Sequence, residues 1–252
     1  MVLLGEVGTG KTTLLRSAIN SMRGTRVHTS FIFNPRMDTI EFLEFMLADF
    51  GLVPTSRTKS GMLLQLNRWL VEKFAAGEVC VLIVDEAQSL SSELLEEIRL
   101  LTNLETDSEK LLQIILSGQP ELESKLREHQ LRQLRQRIAL WCRTYVLTES
   151  ETAEYIQQRL ALAGSKRTIF LPEAVHAIYR YSAGTPRLIN LVCEHALILS
   201  YVERLERIPA SVIFAVASDL DLQSSPFRGE ERTREFSQQK EAEASMTERK
   251  SA

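Results

Sequence analysis

Gly5-Glu6-Val7-Gly8-Thr9-Gly10-Lys11-Thr12 decides how this 252-residue chain is read. It fits the phosphate-loop pattern GxxxxGK[ST]. Met1 to Leu4 before it is apolar enough to end a buried strand, and Thr12 to Met22 after it carries helical spacing through Leu14, Leu15, Ala18, Ile19 and Met22. Strand, glycine-rich turn and helix are the context the motif requires. The glycines let backbone N–H groups turn inward at a helix N-terminus, where an anion is favoured. Lys11 is expected to reach the β- and γ-phosphates and Thr12 to ligate Mg²⁺. Gly5, Glu6, Val7, Gly8, Thr9, Gly10, Lys11, Thr12 and the following Thr13 form the expected nucleotide-binding set.

Further along, Val79-Cys80-Val81-Leu82-Ile83-Val84 reads as a fully buried strand and delivers Asp85-Glu86 to its end. Ligands bind at the carboxyl edge of open α/β sheets. Asp85 is expected in the Mg²⁺ shell and Glu86 to orient the attacking water. A second apolar run, Leu111 to Leu116, brings Ser117-Gly118-Gln119-Pro120 to the same edge. Gln119 is the first choice, and Ser117 the second, for a polar contact to the γ-phosphate or the water. The alternative is that both only shape the turn before Pro120.

The remaining pattern extends this frame. Val27 to Phe33 reads as a strand ending at Asn34-Pro35, and Ile138 to Leu147 as a fifth. Helices are expected over Thr39–Phe50, Lys59–Ala76, Glu93–Leu104 and most of Pro120–Arg137. Alternating strands and helices over residues 1–148 predict an α/β fold of three layers around a parallel five-stranded sheet. Residues 149–222 change character. Thr148-Glu149-Ser150-Glu151 is a capping box opening a helix to Ala163. Pro172 and Thr185-Pro186 open two more helices, and a short fourth follows Pro209. Residues 223–252 are polar and alternate in charge, which predicts a disordered tail.

Composition narrows the classes. There are 30 Lys+Arg against 33 Asp+Glu, a net charge of -3, and 44% hydrophobic residues. That is an ordinary globular balance, with no global attraction to nucleic acid or anionic membrane. No apolar stretch approaches the ~20 residues of a membrane span. Cys80, Cys142 and Cys193 stand far apart in apolar contexts, which fits a reducing cytoplasm and neither a disulfide framework nor a zinc site. His28, His129, His176 and His195 form no metal spacing. Trp69, Trp141 and Met62 fit core faces.

Two arginine groups stand out. Arg132, Arg135 and Arg137 precede the fifth strand and could stabilise transition-state charge in a neighbouring subunit, or form a solvated helix face. Arg187 sits in the first turn of a helix, where a cation opposes the dipole. A nucleotide phosphate or a local carboxylate would hold it.

The phrases GEVGTGKTT, VLIVDEAQ, ILSGQPEL, LRQRI and SAGTPRLIN occur in the order found in AAA+ ATPases. The chain resembles that family from about Val2 to Asp221. Within it, GEVGTGKTTLLR, DEAQ and GQPEL are similar to the secretion-pathway A (ExeA) type. The resemblance implies a P-loop NTPase core with an all-helical AAA+ lid, and ATP and Mg²⁺ as cofactors. It aligns Arg137 with the arginine finger and Arg187 with the second sensor. It implies ring-shaped homo-oligomers and a cytoplasmic motor, peripheral at the inner membrane, with an envelope or membrane protein partner in secretion, pilus or exopolysaccharide export. A DNA-linked regulator of the transposition-helper type is the alternative, and a non-hydrolysing scaffold the third reading. Relatives carry some tens of residues before the phosphate loop, so the first strand is expected to be truncated. Secretion-pathway relatives continue into a membrane span and a peptidoglycan-binding region, and the polar tail here gives no basis for cell-wall attachment.

Overall fold

The computed structural model describes residues 1–22, 24–33, 37–106, 109–165 and 167–223. The expected strand stop at Asn34-Pro35 and the tail beyond Gln223 lie outside these residues. The chain divides into two compact units, Met1–Tyr145 and Val146–Ala252.

The first unit holds strands β1 (Val2–Leu4), β2 (Val27–Ile32), β3 (Val79–Val84), β4 (Leu112–Gly118) and β5 (Trp141–Arg143) in one sheet of order β2-β3-β4-β1-β5. Every pairing is parallel. Because strand side chains alternate between faces, the sheet is apolar on both. Leu3, Val81 and Ile83 point to one face and pack with Leu15 of helix α1 (Lys11–Ser21). Val2, Leu4, Ile32, Leu82, Val84 and Leu116 point to the other. There they meet α2 (Thr39–Asp49), α3 (Lys59–Ala75), α4 (Ser92–Leu101), α5 (Pro120–Leu126) and α6 (Arg132–Gln136). This is the expected three-layer core.

Several elements depart from expectation for identifiable reasons. The long helix expected over Pro120–Arg137 breaks after Leu126 into a 3-10 turn, His129–Leu131, and then α6. Leu122 and Leu126 are one helical turn apart, but Leu131 lies five residues on. An unbroken helix would carry Leu131 and Leu134 off the buried face that all four occupy. Helix α4 stops at Leu101 instead of Leu104, with Thr102 as its C-cap, and the Leu104 carbonyl accepts from Leu111 N at 3.0 Å. The expected strand Ile138–Leu147 pairs over only three residues, since β5 lies at the sheet edge and β1, its one partner among the described residues, is itself only three residues long. Trp141, expected in the core, is therefore 38% exposed. Cys142 and Cys193 are half-buried and Cys80 is buried.

The second unit is helical: α7 (Glu149–Leu162), α8 (Pro172–Ser182), α9 (Pro186–Val202) and α10 (Ala210–Asp219). The Thr148–Glu151 capping box is formed. Ile156, Ala177, Ile178, Ile189, Val192, Ile213 and Val216 build its core. Gly184 packs under Leu147, where an added Cβ would stand 1.8 Å from the Leu147 carbonyl oxygen. No helix among the described residues is long and apolar enough to cross a membrane.

Candidate functional site

Parallel strands place their carboxyl ends at one edge. There the loop after β1, the Asp85-Glu86 pair after β3 and the Gly118-Gln119 turn after β4 come together. Leu4 is in register with Gly118, and Val84 with Leu116.

The loop from Gly5 to Gly10 is held by its own chain and by the end of β5. Gly8 and Gly10 take left-handed backbone angles, φ 82° and 94°, which glycine adopts without a Cβ clash. Thr9 Oγ1 donates to the Glu6 carbonyl at 2.8 Å and shares a 2.8 Å hydrogen bond with Thr144 Oγ1. Thr144 N in turn donates to the Leu4 carbonyl at 2.8 Å. Thr144 comes so close that a Cβ on Gly5 would lie 1.9 Å from its hydroxyl oxygen. No side chain caps α1, and its first turn holds no acidic residue. The positive end of its dipole is left for an anion. Lys11 is 5% exposed, and its ammonium donates to the carbonyls of Gly5 at 2.7 Å and Glu6 at 3.0 Å. Two of its three N–H donors are used this way, so it stays beside the loop. Glu6, Val7 and Thr13 are exposed around this cradle.

Asp85 is 2% exposed, and both its carboxylate oxygens accept hydrogen bonds. Its Oδ2 accepts from Thr12 Oγ1 at 2.5 Å. Its Oδ1 accepts from Ser117 Oγ at 2.8 Å and from Glu86 N at 3.1 Å. The convergent hydroxyl and carboxylate oxygens of Thr12 and Asp85 are the hard donor type that Mg²⁺ takes while keeping several waters. Among the described residues no group of three or more His, Cys, Asp or Glu could form a separate metal cage.

Glu86 differs. It has left-handed backbone angles, φ 55° and ψ 36°, a strain of about 1–2 kcal/mol for a residue with a Cβ. Its Oε2 accepts from Gln88 Nε2 at 2.6 Å and Gln119 Nε2 at 3.1 Å. Gln88 Oε1 accepts from Gln119 N at 3.1 Å. Gly118 makes room for this bridge: a Cβ there would meet Gln88 Oε1 at 2.8 Å. Ser117 and Gln119, weighed as alternatives from the sequence, thus bond to different carboxylates. Ser117 holds Asp85 and Gln119 holds Glu86.

The arginines lie elsewhere. Arg137 precedes β5, so it is at the opposite sheet edge from the phosphate loop, and its Nη1 donates to Thr102 Oγ1 at 2.8 Å. Arg132, Arg135 and Arg137 are all exposed. Arg187 is an exposed residue of the first turn of α9 in the second unit. Among the described residues it makes no ion pair, so no local carboxylate holds it.

A family model described as "AAA domain" matches residues 1–126, half of the chain. The chain belongs to the AAA family. General secretion pathway protein A of Aeromonas hydrophila is 42% identical over 202 residues, covering 80% of this chain and 37% of that protein. The chain therefore spans little more than a third of that relative's length. The ORC2 protein of Aeropyrum pernix, solved in ADPNP–ADP complexes, superposes with a TM-score of 0.66 at 18% identity, covering 86% of this chain and 61% of that one. Cdc6p of Pyrobaculum aerophilum gives 0.68 at 16% identity, covering 86% and 60%. These two likenesses are of fold.

Thr144 and Gln88 are the site residues that the motif reading missed. Gln88 lies inside the DEAQ phrase but carries no signal of its own. Thr144 sits in a stretch read as strand, 135 residues from its partner Thr9.

Proposed function

We propose that this AAA protein binds ATP with Mg²⁺ and hydrolyses it to drive conformational change. The observation that carries this reading is the convergence of Thr12 and Asp85 beside a loop that holds the Lys11 ammonium and the uncapped N-terminus of α1. In this reading the backbone of Gly5 to Thr13 cradles the phosphates and Lys11 pairs with them. Thr12 and Asp85 would hold the metal, which when bound neutralises charge on the β- and γ-phosphate oxygens. Glu86 orients the attacking water through Oε1, since both amide bonds fall on Oε2. Gln119 fixes Glu86, and Ser117 fixes Asp85. Arg137 acts on the nucleotide of a neighbouring subunit in a ring. Its exposure and its place at the far sheet edge support a role in trans. Arg187 contributes charge to the same reaction from the helical lid.

The 42% identity to a secretion-pathway protein supports an accessory role in secretion, with a partner in the envelope and a cytoplasmic position peripheral to the inner membrane. The test uses two variants. Lys11→Ala should abolish ADP and ATP binding. Glu86→Gln should bind both and release no phosphate. Full turnover by Glu86→Gln would overturn the water-orienting role.

A further inference from the structure

We infer that Gln88 is a positioning residue for turnover: its amide bridges the Glu86 carboxylate and the Gly118-Gln119 turn, fixing where that carboxylate stands. The inference rests on the reading of Glu86 given above.

The chemistry of the two contacts fixes the amide's orientation. Gln119 N can only donate and the Glu86 carboxylate can only accept. The Gln88 oxygen must therefore face Gln119 N, at 3.1 Å, and its nitrogen must face Glu86 Oε2, at 2.6 Å. The bridge is made with backbone on one side and the reacting carboxylate on the other. Gln88 is itself anchored. It lies in the 3-10 turn Ala87–Ser89, and its carbonyl accepts from Lys125 Nζ at 3.3 Å. Lys125 also donates to the Leu90 carbonyl. Lys125 belongs to α5, the helix that the Gly118-Gln119 turn opens. Both ends of the Gln88 residue thus answer to the segment that leaves β4.

The backbone of Glu86 makes this support necessary. A non-glycine residue in the left-handed region persists where its surroundings over-determine it. Two amides on one carboxylate oxygen, with the second supplied by Gln119, do that. They leave Oε1 as the oxygen, among the described residues, open to a water proton. Displacing that oxygen by a fraction of an ångström would misdirect the water. Movement of the β4 exit turn would be passed to Glu86 through Gln88, beside the direct bond from the Gln119 side chain.

The test compares two side chains of similar length in the full chain. Gln88→Met removes both amide bonds. Gln88→Glu keeps an oxygen for Gln119 N but replaces the donor to Glu86 with a like charge. Steady-state phosphate release and ADP affinity are measured for each, beside Glu86→Gln. For both Gln88 variants kcat should fall about ten- to hundred-fold, while ADP affinity stays within about two-fold. Wild-type kcat in Gln88→Met, with Glu86→Gln inactive, would overturn this inference and leave the role of Glu86 standing. Wild-type kcat in Gln88→Glu alone would also overturn it, because Gln88 would then only brace the turn through Gln119 N. Full turnover by Glu86→Gln would overturn both readings together.

Discussion

Thr12 Oγ1 donates to Asp85 Oδ2 across 2.5 Å, joining residues 73 positions apart in the chain. The contact ties the start of α1 to the end of β3. It depends on β1 and β3 flanking β4 in one parallel sheet, so that their carboxyl ends open on the same edge. The fold and the site are therefore one arrangement: the helix that follows the phosphate loop is held by the carboxylate that follows β3.

The close approach of Thr144 to Gly5 makes that glycine necessary for a reason beyond loop flexibility. Gly5→Ala should cost about 1–3 kcal/mol through overpacking and weaken ADP binding. Thr144→Ala in the same chain should recover part of both losses, because the oxygen 1.9 Å from the added Cβ is removed. Thr144→Ser keeps an Oγ and should recover less. Denaturant unfolding and ADP titration of the four proteins check this. Equal recovery by Ser and Ala would contradict it.

Ser117 and Gln119 should separate in their effects. Ser117→Ala leaves the buried Asp85 carboxylate one donor short and should cost about 1–3 kcal/mol of stability, with weaker Mg²⁺-dependent nucleotide binding. Gln119→Ala removes a bond to the half-buried Glu86 and should lower kcat with a much smaller change in stability. Thermal melts beside turnover assays distinguish the two, and matched effects on both readouts would contradict the division.

The part of this site legible in the sequence was what lies contiguous in the chain. Gly5 to Thr12 and Asp85-Glu86 each carry residue types and strand contexts that few other structures demand. Long-range partners were not legible. The apolar run ending at Leu116 gave no sign that β4 continues through Ser117 to Gly118, because a polar serine in a strand reads as its end. That extension is what aims Ser117 at Asp85. The break at Leu126 likewise follows from tertiary packing, and neither it nor the stop at Leu101 has a glycine or proline to announce it. Trp141 misled because an aromatic in an apolar strand is read as core, whereas β5 is a short edge. The three-layer core and the four helices of the second unit were legible because periodicity, capping residues and prolines agree locally.

If Arg137 serves a neighbour's nucleotide, two inactive proteins should repair each other. Arg137→Ala should bind ATP and turn over slowly. Lys11→Ala should bind none. Mixed together, Lys11→Ala subunits supply the arginine to intact sites on Arg137→Ala subunits, and phosphate release should rise above that of either alone. No gain at any mixing ratio, with mixed assembly verified by cross-linking, would contradict a role in trans.

Acid should loosen the join between β5 and α5. Burial would raise the pKa of Glu123, but hydrogen bonds from Arg127 and Arg143 outweigh it and hold the carboxyl below its ordinary 4.5. Arg127 Nη2 donates to Oε1 at 2.8 Å and Arg143 Nη2 to Oε2 at 2.6 Å. A carboxyl with a depressed folded pKa contributes stability that is present above the unfolded value and lost as pH falls through the folded one. Stability should therefore decline below about pH 4.5. Glu123→Gln should start lower at neutral pH and decline less. Parallel acid limbs for the two proteins in urea unfolding between pH 6 and 3 would contradict the assignment.

The most direct test is a crystal structure with Mg²⁺ and the β,γ-imido analogue of ATP. The account predicts the triphosphate in the loop from Gly5 to Thr13, with Lys11 Nζ on its β- and γ-oxygens. It predicts the metal about 2.0–2.1 Å from Thr12 Oγ1, with Asp85 holding its shell. A triphosphate bound away from Lys11, or a metal with neither Thr12 nor Asp85 in its shell, would contradict it.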